Sequence, residues 1–343
     1  MANCVRILMY IKIWILGLII APKFQNPIFV KEFMTVIDLR TGKETTLPLG
    51  ARLSCALGNF DGVHVGHKEL LVKAAKKEYG TDTSAVWTFR VHPQIILGSS
   101  GVKILTSTEQ KLEYFAAAGI EYAILEDFEA VSHMPPEDFA IDLLIKKLGV
   151  HHAVCGFNFS FGSKAAGNCT LLKEYFGQEG KTVSIISPFK MDGNTVSSSL
   201  VRSKIELGDV EFAEKLLGHP FSILLPVTEG RKLGRKMGAP TINQVFPENH
   251  AIPKFGVYAC RCHVDGRVYM GIANVGIRPT ITEQEKIVNC ETHILDYSGY
   301  LYGKKIRVDF CKFIREERKF PSVEALAEEI NKNIEEIREY FAK

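Results

Sequence analysis

Ten consecutive residues, Gly58-Asn59-Phe60-Asp61-Gly62-Val63-His64-Val65-Gly66-His67, leave a strand-like run and enter a helix. Three glycines let the backbone approach a ligand closely, and the following helix N-terminus offers free N–H groups at its positive dipole end. That combination suits phosphate. His64 and His67 lie three apart and can face one ligand, where imidazoles donate hydrogen bonds to phosphoryl oxygens as charge builds in a transition state. A His-x-x-His pair alone is a weak signal. A zinc reading lacks the Glu of His-Glu-x-x-His and an obvious third ligand, and a core histidine would not need three glycines beside it. Farther on, Ser197-Ser198-Ser199-Leu200-Val201-Arg202 places hydroxyls at a helix start and a planar cation one turn later. Such groups can bind the oxygens of a triphosphate, although a plain helix cap also accounts for the serines.

A second stretch, Gly230-Arg231-Lys232-Leu233-Gly234-Arg235-Lys236-Met237-Gly238-Ala239-Pro240-Thr241-Ile242-Asn243, interleaves glycine with base. Glycines so placed suggest a loop folded over phosphate, with Gly234, Arg235 and Gly238 as the contacts. A solvated basic face is the alternative. The Gly-x4-Gly-Lys-Ser/Thr pattern occurs nowhere, which excludes a P-loop kinase. Thr241 and Asn243 share a face if extended, and both are neutral oxygen ligands of the kind Mg²⁺ accepts beside ATP phosphates.

The elements that must carry these residues come in two styles. From Ser54 to Ile186 short apolar runs alternate with amphipathic helices, as in βαβ units. Leu53–Leu57, Ala85–Phe89, Tyr122–Leu125, Ala153–Cys155 and Thr182–Ile186 read as strands, with helices over Glu109–Ala118 and Pro136–Leu148. Short connections predict a doubly wound parallel sheet, a Rossmann-like α/β domain. Ser197–Gly218 reads as two helical pieces, the second opened by Asp209 and closed by Gly218. After Pro220 the period changes. Val257–Val264 and Arg267–Val275 form strands joined at Asp265-Gly266, a favoured hairpin turn. Lys305–Ile314 sets Ile306, Val308 and Phe310 against Arg307, Asp309 and Cys311, a half-buried strand. A long helix capped by Ser322 closes the chain, with an apolar stripe of Val323, Leu326, Ile330, Ile334, Ile337 and Phe341. The second domain is thus a small β-barrel or sandwich with a terminal helix.

At 343 residues the chain has room for two domains. Four of the 42 bases and one of the 39 acids fall in residues 1–33, so the remaining 310 residues are electrically balanced. A neutral body offers no footprint for nucleic acid. Eight cysteines without a Cys-x-x-Cys pair read as reduced thiols in a cytoplasmic protein. Cys260 and Cys262 share a strand face, but a zinc site needs two further ligands nearby. In the first 33 residues the longest charge-free apolar run, Ile13–Ala21, is too short to span a bilayer, and its end lacks a small-x-small cleavage pattern. We read this segment as an extension before a start at Met34, with a membrane-associating helix as the other reading and no stable membrane partner. A homo-oligomer is left open.

Gly58–His67 resembles the His-x-Gly-His motif of the nucleotidyltransferase superfamily, and its longer form resembles the adenylyltransferase module of the bacterial bifunctional riboflavin kinase/FMN adenylyltransferase (FAD synthetase) family. Gly156-Phe157-Asn158-Phe159-Ser160-Phe161-Gly162 with Gly167 resembles that family's second motif, and Ser197–Arg202 its Ser-Ser-Thr-x-x-Arg motif, with Ser199 where Thr is usual. Phe89-Arg90-Val91-His92-Pro93 departs slightly from the family pattern, and we place no catalytic weight on it. Gly230–Asn243 is similar to the riboflavin kinase motif ending Gly-x-Pro-Thr-x-Asn, and the similarity continues through Gly256–Ala259, Gly271–Thr280, Glu291–Asp296, Leu301–Gly303 and Arg315–Phe320. The resemblance implies a nucleotidyltransferase domain over 34–205, a linker over 206–220 and a riboflavin kinase domain over 221–343, behind the 1–33 extension. It implies two reactions: riboflavin and ATP give FMN, then FMN and ATP give FAD and pyrophosphate.

It further implies that His64, His67 and Arg202 stabilise charge during adenylyl transfer, where Gly58, Phe60, Gly62, Asn158, Ser198 and Ser199 hold nucleotide. Thr241 and Asn243 would bind Mg²⁺, Glu291 would be the general base, and the Arg315 region would lie near the flavin. A carboxylate beside Mg-ATP can take the proton of an attacking alcohol. Glu291 lies in the strand-like run Cys290–Leu295, where an inward carboxylate is costly unless used or paired, and an exposed strand Glu is the simpler alternative. Two other functions fit the same motifs. One is a riboflavin kinase whose first domain binds nucleotide without transferring it; the other is a flavin-binding regulator without turnover.

Overall fold

The computed structural model describes residues 34–40, 47–98, 101–230, 240–278 and 287–342. Residues 1–33 and the candidate phosphate contacts Gly234, Arg235 and Gly238 lie outside them. The first half runs β1 (Thr35–Asp38), β2 (Leu53–Leu57), α1 (Val65–Ala75), β3 (Thr83–Phe89), α2 (Pro93–Ile96), α3 (Thr108–Ala117), β4 (Tyr122–Glu126), α4 (Phe128–Ser132), α5 (Asp138–Lys147) and β5 (Val150–Gly156). The short strands β6 (Ser160–Phe161) and β7 (Gly167–Asn168) follow, then α6 (Cys169–Gln178), β8 (Thr182–Ile186), β9 (Lys190–Met191), β10 (Asn194–Thr195) and α7 (Ser198–Glu206). The order in the main sheet is β1-β4-β3-β2-β5-β8, and every pairing is parallel.

Side-chain alternation explains why β2 reads as a continuous apolar run. Leu53, Cys55 and Leu57 pack toward Phe139, Leu172 and Phe176 on one face, whereas Ala56 packs toward Leu71 and Phe115 on the other. A strand buried on both faces shows no polar–apolar alternation, and its one hydroxyl, Ser54, is itself buried. From β2 the chain winds to β3 on one side, and β5 later returns on the other, so the crevice at the carboxyl ends of β2 and β5 is a topological switch point. The Pro136–Leu148 helix is realised as α5, which is wound as a π-helix; Leu148 N donates to Leu143 O, five residues back, at 3.0 Å.

The second half holds α8 (Val210–Leu217), β11 (Phe221–Pro226), β12 (Thr241–Val245), β13 (Gly256–Val264), β14 (Arg267–Arg278), β15 (Ile287–Ile294), β16 (Lys305–Arg315) and α9 (Val323–Ala342). Asp209 caps α8, and Gly218 ends it in the left-handed conformation. The segment 206–220, expected as a linker, carries this helix, whose Val210, Ala213, Leu216 and Leu217 share one core with the sheet residues Val308 and Phe310. The strands form an antiparallel sheet in the order β11-β16-β13-β14-β15-β12, curled into a half-barrel. Buried Gln244 on β12 spans its open side, donating to Leu225 O and Ile306 O at 2.8 Å each. The Asp265-Gly266 turn has φ of 46° and 78°, as a type I′ hairpin requires.

β16 departs from its half-buried reading. Asp309 and Cys311 are buried on the face expected to be open, because α8 and α9 cover it. On α9, Ile337 is buried with Ile334 and Phe341 packed beside it, while Val323 is exposed. The two halves are joined through α3. Gln110 Nε2 donates to Ser222 O and Oγ at 3.0 and 3.1 Å, and Arg307 pairs with Glu113 at 3.0 Å and with the Tyr114 hydroxyl. Next to it, Ile104 exchanges backbone bonds of 2.7 and 2.8 Å with Asn249 and Ala251.

Phe115 on α3 is fully buried and meets Phe60 edge-on at 5.3 Å, so one ring supports both the sheet and the loop after β2. Phe115→Ala is expected to cost ~3–5 kcal/mol, read as a lower thermal midpoint. An unchanged midpoint would contradict this packing.

Candidate active sites

The first candidate site grows from the loop between β2 and α1. Phe60 (φ 54°), Gly62 (φ 82°) and Val63 (φ 40°) all lie in the left-handed region. For Val63 this is a true outlier, and strained backbone of roughly 1–3 kcal/mol per residue persists only where surroundings over-determine it. Gly62 has a second reason to be glycine, since a Cβ there would sit 2.8 Å from Leu105 Cδ1.

What over-determines the loop is Asp61, which is buried. Its Oδ1 accepts from Leu105 N at 2.8 Å and from Thr106 N at 3.3 Å, and its Oδ2 accepts from Arg202 Nη2 at 3.2 Å. Its carbonyl accepts from Ser198 Oγ at 2.8 Å. From below, Lys111 Nζ donates to Phe89 O at 2.9 Å and Asn59 O at 3.3 Å; burial brings this ammonium down to about 8.

The turn delivers His64 as the N-cap of α1. His64 Nδ1 accepts from His67 N at 3.2 Å, which leaves the proton of the neutral ring on Nε2. The two imidazoles stack with centroids 3.6 Å apart and 13° between planes. Burial pushes His64 down to about 4, and burial with the neighbouring His64 and Lys111 holds His67 well below the ordinary range. Both rings are therefore neutral near pH 7. Among the described residues His67 Nδ1 and Arg202 Nε are buried without a partner, which is rare unless a ligand supplies one.

The helical reading of the serines holds in part. Ser197 caps α7, Ser198 is committed to the loop carbonyl, and exposed Ser199 accepts from Arg202 Nη1 at 3.3 Å. Gly58 opens the loop at the end of β2. Asn158 is exposed in the turn after the neighbouring β5, at the same carboxyl end of the sheet, with no hydrogen bond joining it to His64 or Arg202 among the described residues. Sequence reasoning missed Asp61 and Lys111 as supports. It also gave no weight to His92, whose charge state responds to Asp61, Arg202 and Lys111 after the larger effect of burial.

The second candidate site lies on the half-barrel face. On β15, Glu291 stands between Asn243 of β12 and Asn274 of β14, and His293 pairs with Thr241. Directly opposed residues share a face, so Thr241, Asn243, Glu291 and Asn274 form one polar patch. Glu291 is exposed there, not turned into the core. Asn243 is buried and accepts at Oδ1 from Asn289 Nδ2 at 2.9 Å, while Asn289 Nδ2 also faces Glu291 Oε1 at 3.4 Å. Gly230 lies against this amide; a Cβ there would come within 2.3 Å of Asn243 Nδ2. Asn289 Oδ1 is buried without a partner among the described residues, an orphaned acceptor beside an all-oxygen set. Such donors fit Mg²⁺, which takes few protein ligands and keeps phosphate and water for the rest.

His293 Nδ1 lies 2.9 Å from Pro240 O. A cavity of about 70 Å³ opens beside Thr241, lined by Val227, Pro240, Ile294, Tyr297 and Leu301 among others. Arg315 is held elsewhere, at 3.0 Å from Asn333 Oδ1 and 3.2 Å from Glu329 on α9, but Glu317 of the same segment reaches Asn274 at 2.9 Å.

Residues 50–200 match the FAD synthetase family and residues 217–341 the riboflavin kinase family. The chain is 36% identical over 299 residues to the bifunctional riboflavin kinase/FMN adenylyltransferase of Bacillus subtilis, covering 85% of this chain and 93% of the relative. The enzymes of that name from Listeria monocytogenes (35% over 294 residues, 84% and 92% covered) and Escherichia coli K12 (33% over 290, 83% and 91%) are similarly close. A solved structure described as a macrolide-efflux protein from Streptococcus pneumoniae superposes with TM-score 0.77 at 28% identity, over 88% of this chain and 98% of that one. Among the described residues no helix is long and apolar enough to cross a membrane.

Neutral, buried His64 gives a pH prediction. An unfolded His takes up a proton as pH falls through 6.5, whereas folded His64 resists until about 4. Acidification across that window therefore favours the unfolded state, by up to on the order of 3 kcal/mol from this ring. In His64→Asn, which keeps an N-cap acceptor, the decline of unfolding free energy between pH 6.5 and 4 should be shallower. An identical slope would contradict a neutral buried ring.

Proposed function

The chain belongs to the bifunctional riboflavin kinase/FMN adenylyltransferase family, and we propose which of its residues carry each of the two reactions. It phosphorylates riboflavin to FMN with ATP and adenylylates FMN to FAD. The observation that supports the assignment is that each family-matched segment carries its own polar constellation: His64 and His67 in the first, with Arg202 two residues beyond its end, and Thr241, Asn243 and Glu291 in the second.

In the first site an FMN phosphate oxygen attacks the α-phosphorus of ATP. A new P–O bond forms as the bond to the β-phosphate bridge breaks, and pyrophosphate leaves. His64 Nε2–H, His67 and the Arg202 guanidinium stabilise the charge spreading over the transferring group, with no protein nucleophile required. Neutral imidazoles serve as fixed donors that need no proton exchange. Gly58 lets nucleotide approach the loop, Phe60 and Gly62 are buried and shape the turn behind it, and Asn158, Ser198 and Ser199 line the same end of the sheet.

In the second site Glu291 accepts the proton of the riboflavin 5′-hydroxyl as that oxygen attacks the γ-phosphorus of ATP, and ADP leaves. Its exposure on the sheet face leaves it open to an incoming alcohol. Thr241 and Asn243 would hold Mg²⁺, with Asn289 fixing the Asn243 amide. The chemistry such an ion would supply there is positive charge to offset that of the phosphates. The apolar and aromatic walls beside Thr241 suit the purine of ATP. Gly234, Arg235 and Gly238 would cover the phosphates, and Glu317, two residues from Arg315, brings that segment to the patch. Among the described residues seven cysteines are free and buried, which suits a reducing compartment such as the cytoplasm.

His67→Ala should lower FAD formation at least ~100-fold while FMN formation continues, and Glu291→Gln should do the reverse. FMN formation is read from riboflavin and FAD formation from supplied FMN, by chromatography of the flavins in two separate reactions. Parallel loss of both in either variant would contradict the division of labour, and an unchanged kinase rate in Glu291→Gln would remove it as base.

A further inference from the structure

A buried histidine that neither reaction uses sits where the halves meet. His219 follows the left-handed cap Gly218 and precedes β11, inside the segment that matches riboflavin kinase. Its ring is 7% exposed and stacks on Tyr114 of α3 with centroids 4.0 Å apart. Nε2 lies 3.1 Å from Gly62 O and Nδ1 lies 2.9 Å from Pro220 O. Gly62 is the middle of the strained turn that aims His64, and its N–H is already fixed by Thr106 Oγ1 at 3.0 Å. The second half also touches this turn and the helix that follows it. Leu217 Cδ2 would lie 3.2 Å from a Cβ on Gly62, and Lys68 of α1 donates from Nζ to Gly218 O at 2.8 Å.

Burial, with Lys68 and Arg307 nearby, brings the His219 ring down to about 3, so it is neutral in use. A neutral imidazole carries one N–H, yet two carbonyl oxygens face its nitrogens. With the proton on Nδ1, the Gly62 carbonyl of the strained turn would meet a lone pair. With the proton on Nε2, both polar groups of Gly62 are tied, the N–H to Thr106 and the carbonyl to the kinase half, and it is Pro220 O that faces a lone pair.

We propose that His219, in its Nε2–H form, is a positioning residue for adenylyl transfer, by which the kinase half of the chain locks the Gly62–His64 turn of the other half. The inference rests on the adenylyl-transfer reading of the His64 loop. It makes the first active site incomplete without a side chain from the second module.

Three variants of the full chain test it, because a Gln amide nitrogen falls near the position of Nε2 and an Asn amide nitrogen near that of Nδ1. For FMN adenylylation, kcat should fall about tenfold in His219→Leu and His219→Asn, with KM for ATP little changed, and His219→Gln should recover most of it. Riboflavin phosphorylation, measured on the same preparations, should stay within about twofold of wild type in all three. Full adenylylation in His219→Leu, equal loss in Gln and Leu variants, or parallel loss of both activities would each overturn the proposal. A wild-type chain that forms no FAD would instead overturn the adenylyl-transfer reading itself.

Discussion

A single buried carboxylate organises the first site. Asp61 is removed from water, and a buried charge is tolerated only when paired and hydrogen-bonded. Its partners are two backbone amides at Leu105 and Thr106 and the guanidinium of Arg202, with Ser198 on its own carbonyl. These partners come from two other segments, so satisfying Asp61 fixes the loop after β2, the segment before α3 and the start of α7 relative to one another. The left-handed conformations of Phe60, Gly62 and Val63 are the local consequence. The backbone follows the carboxylate to its partners and leaves His64 as the cap of α1.

The same constraint reaches the second module. Leu105 and Thr106 are held by Ile104, which pairs with Asn249 and Ala251, and α3 beyond them is tied by Gln110 and Glu113 to β11 and β16. The two sites nevertheless use opposite electrostatics. In the first, burial keeps two stacked imidazoles neutral as fixed donors; in the second, a carboxylate stands exposed on a sheet face beside neutral oxygen donors. Both suit phosphoryl chemistry, where positioning and charge stabilisation dominate and no covalent intermediate is needed.

Much of this was legible in the sequence because the signals are local. The Gly58–His67 spacing, the cap residues Ser197, Asp209 and Gly218, the Asp265-Gly266 hairpin and the period-two runs each depend on a few adjacent residues. What was not legible depends on distant partners. Asp61 finds its amides 44 and 45 residues away and Arg202 141 residues away, so nothing beside it announces its role. Lys111 looks like a solvated helix position, yet it is buried under the loop. On β16 the alternation foretold one open face, but α8 and α9 close it over Asp309 and Cys311. Glu291 turns outward, because β12 and β14 place Asn243 and Asn274 beside it on the outer face and the core takes the alternate residues.

One polypeptide carries both reactions in sequence. The most direct measurement is a chromatographic time course of the purified chain with riboflavin, ATP and Mg²⁺, following both flavin products and pyrophosphate. The account predicts that FMN rises first and then declines as FAD and pyrophosphate appear together. FMN that accumulates without FAD, with no pyrophosphate released, would contradict it.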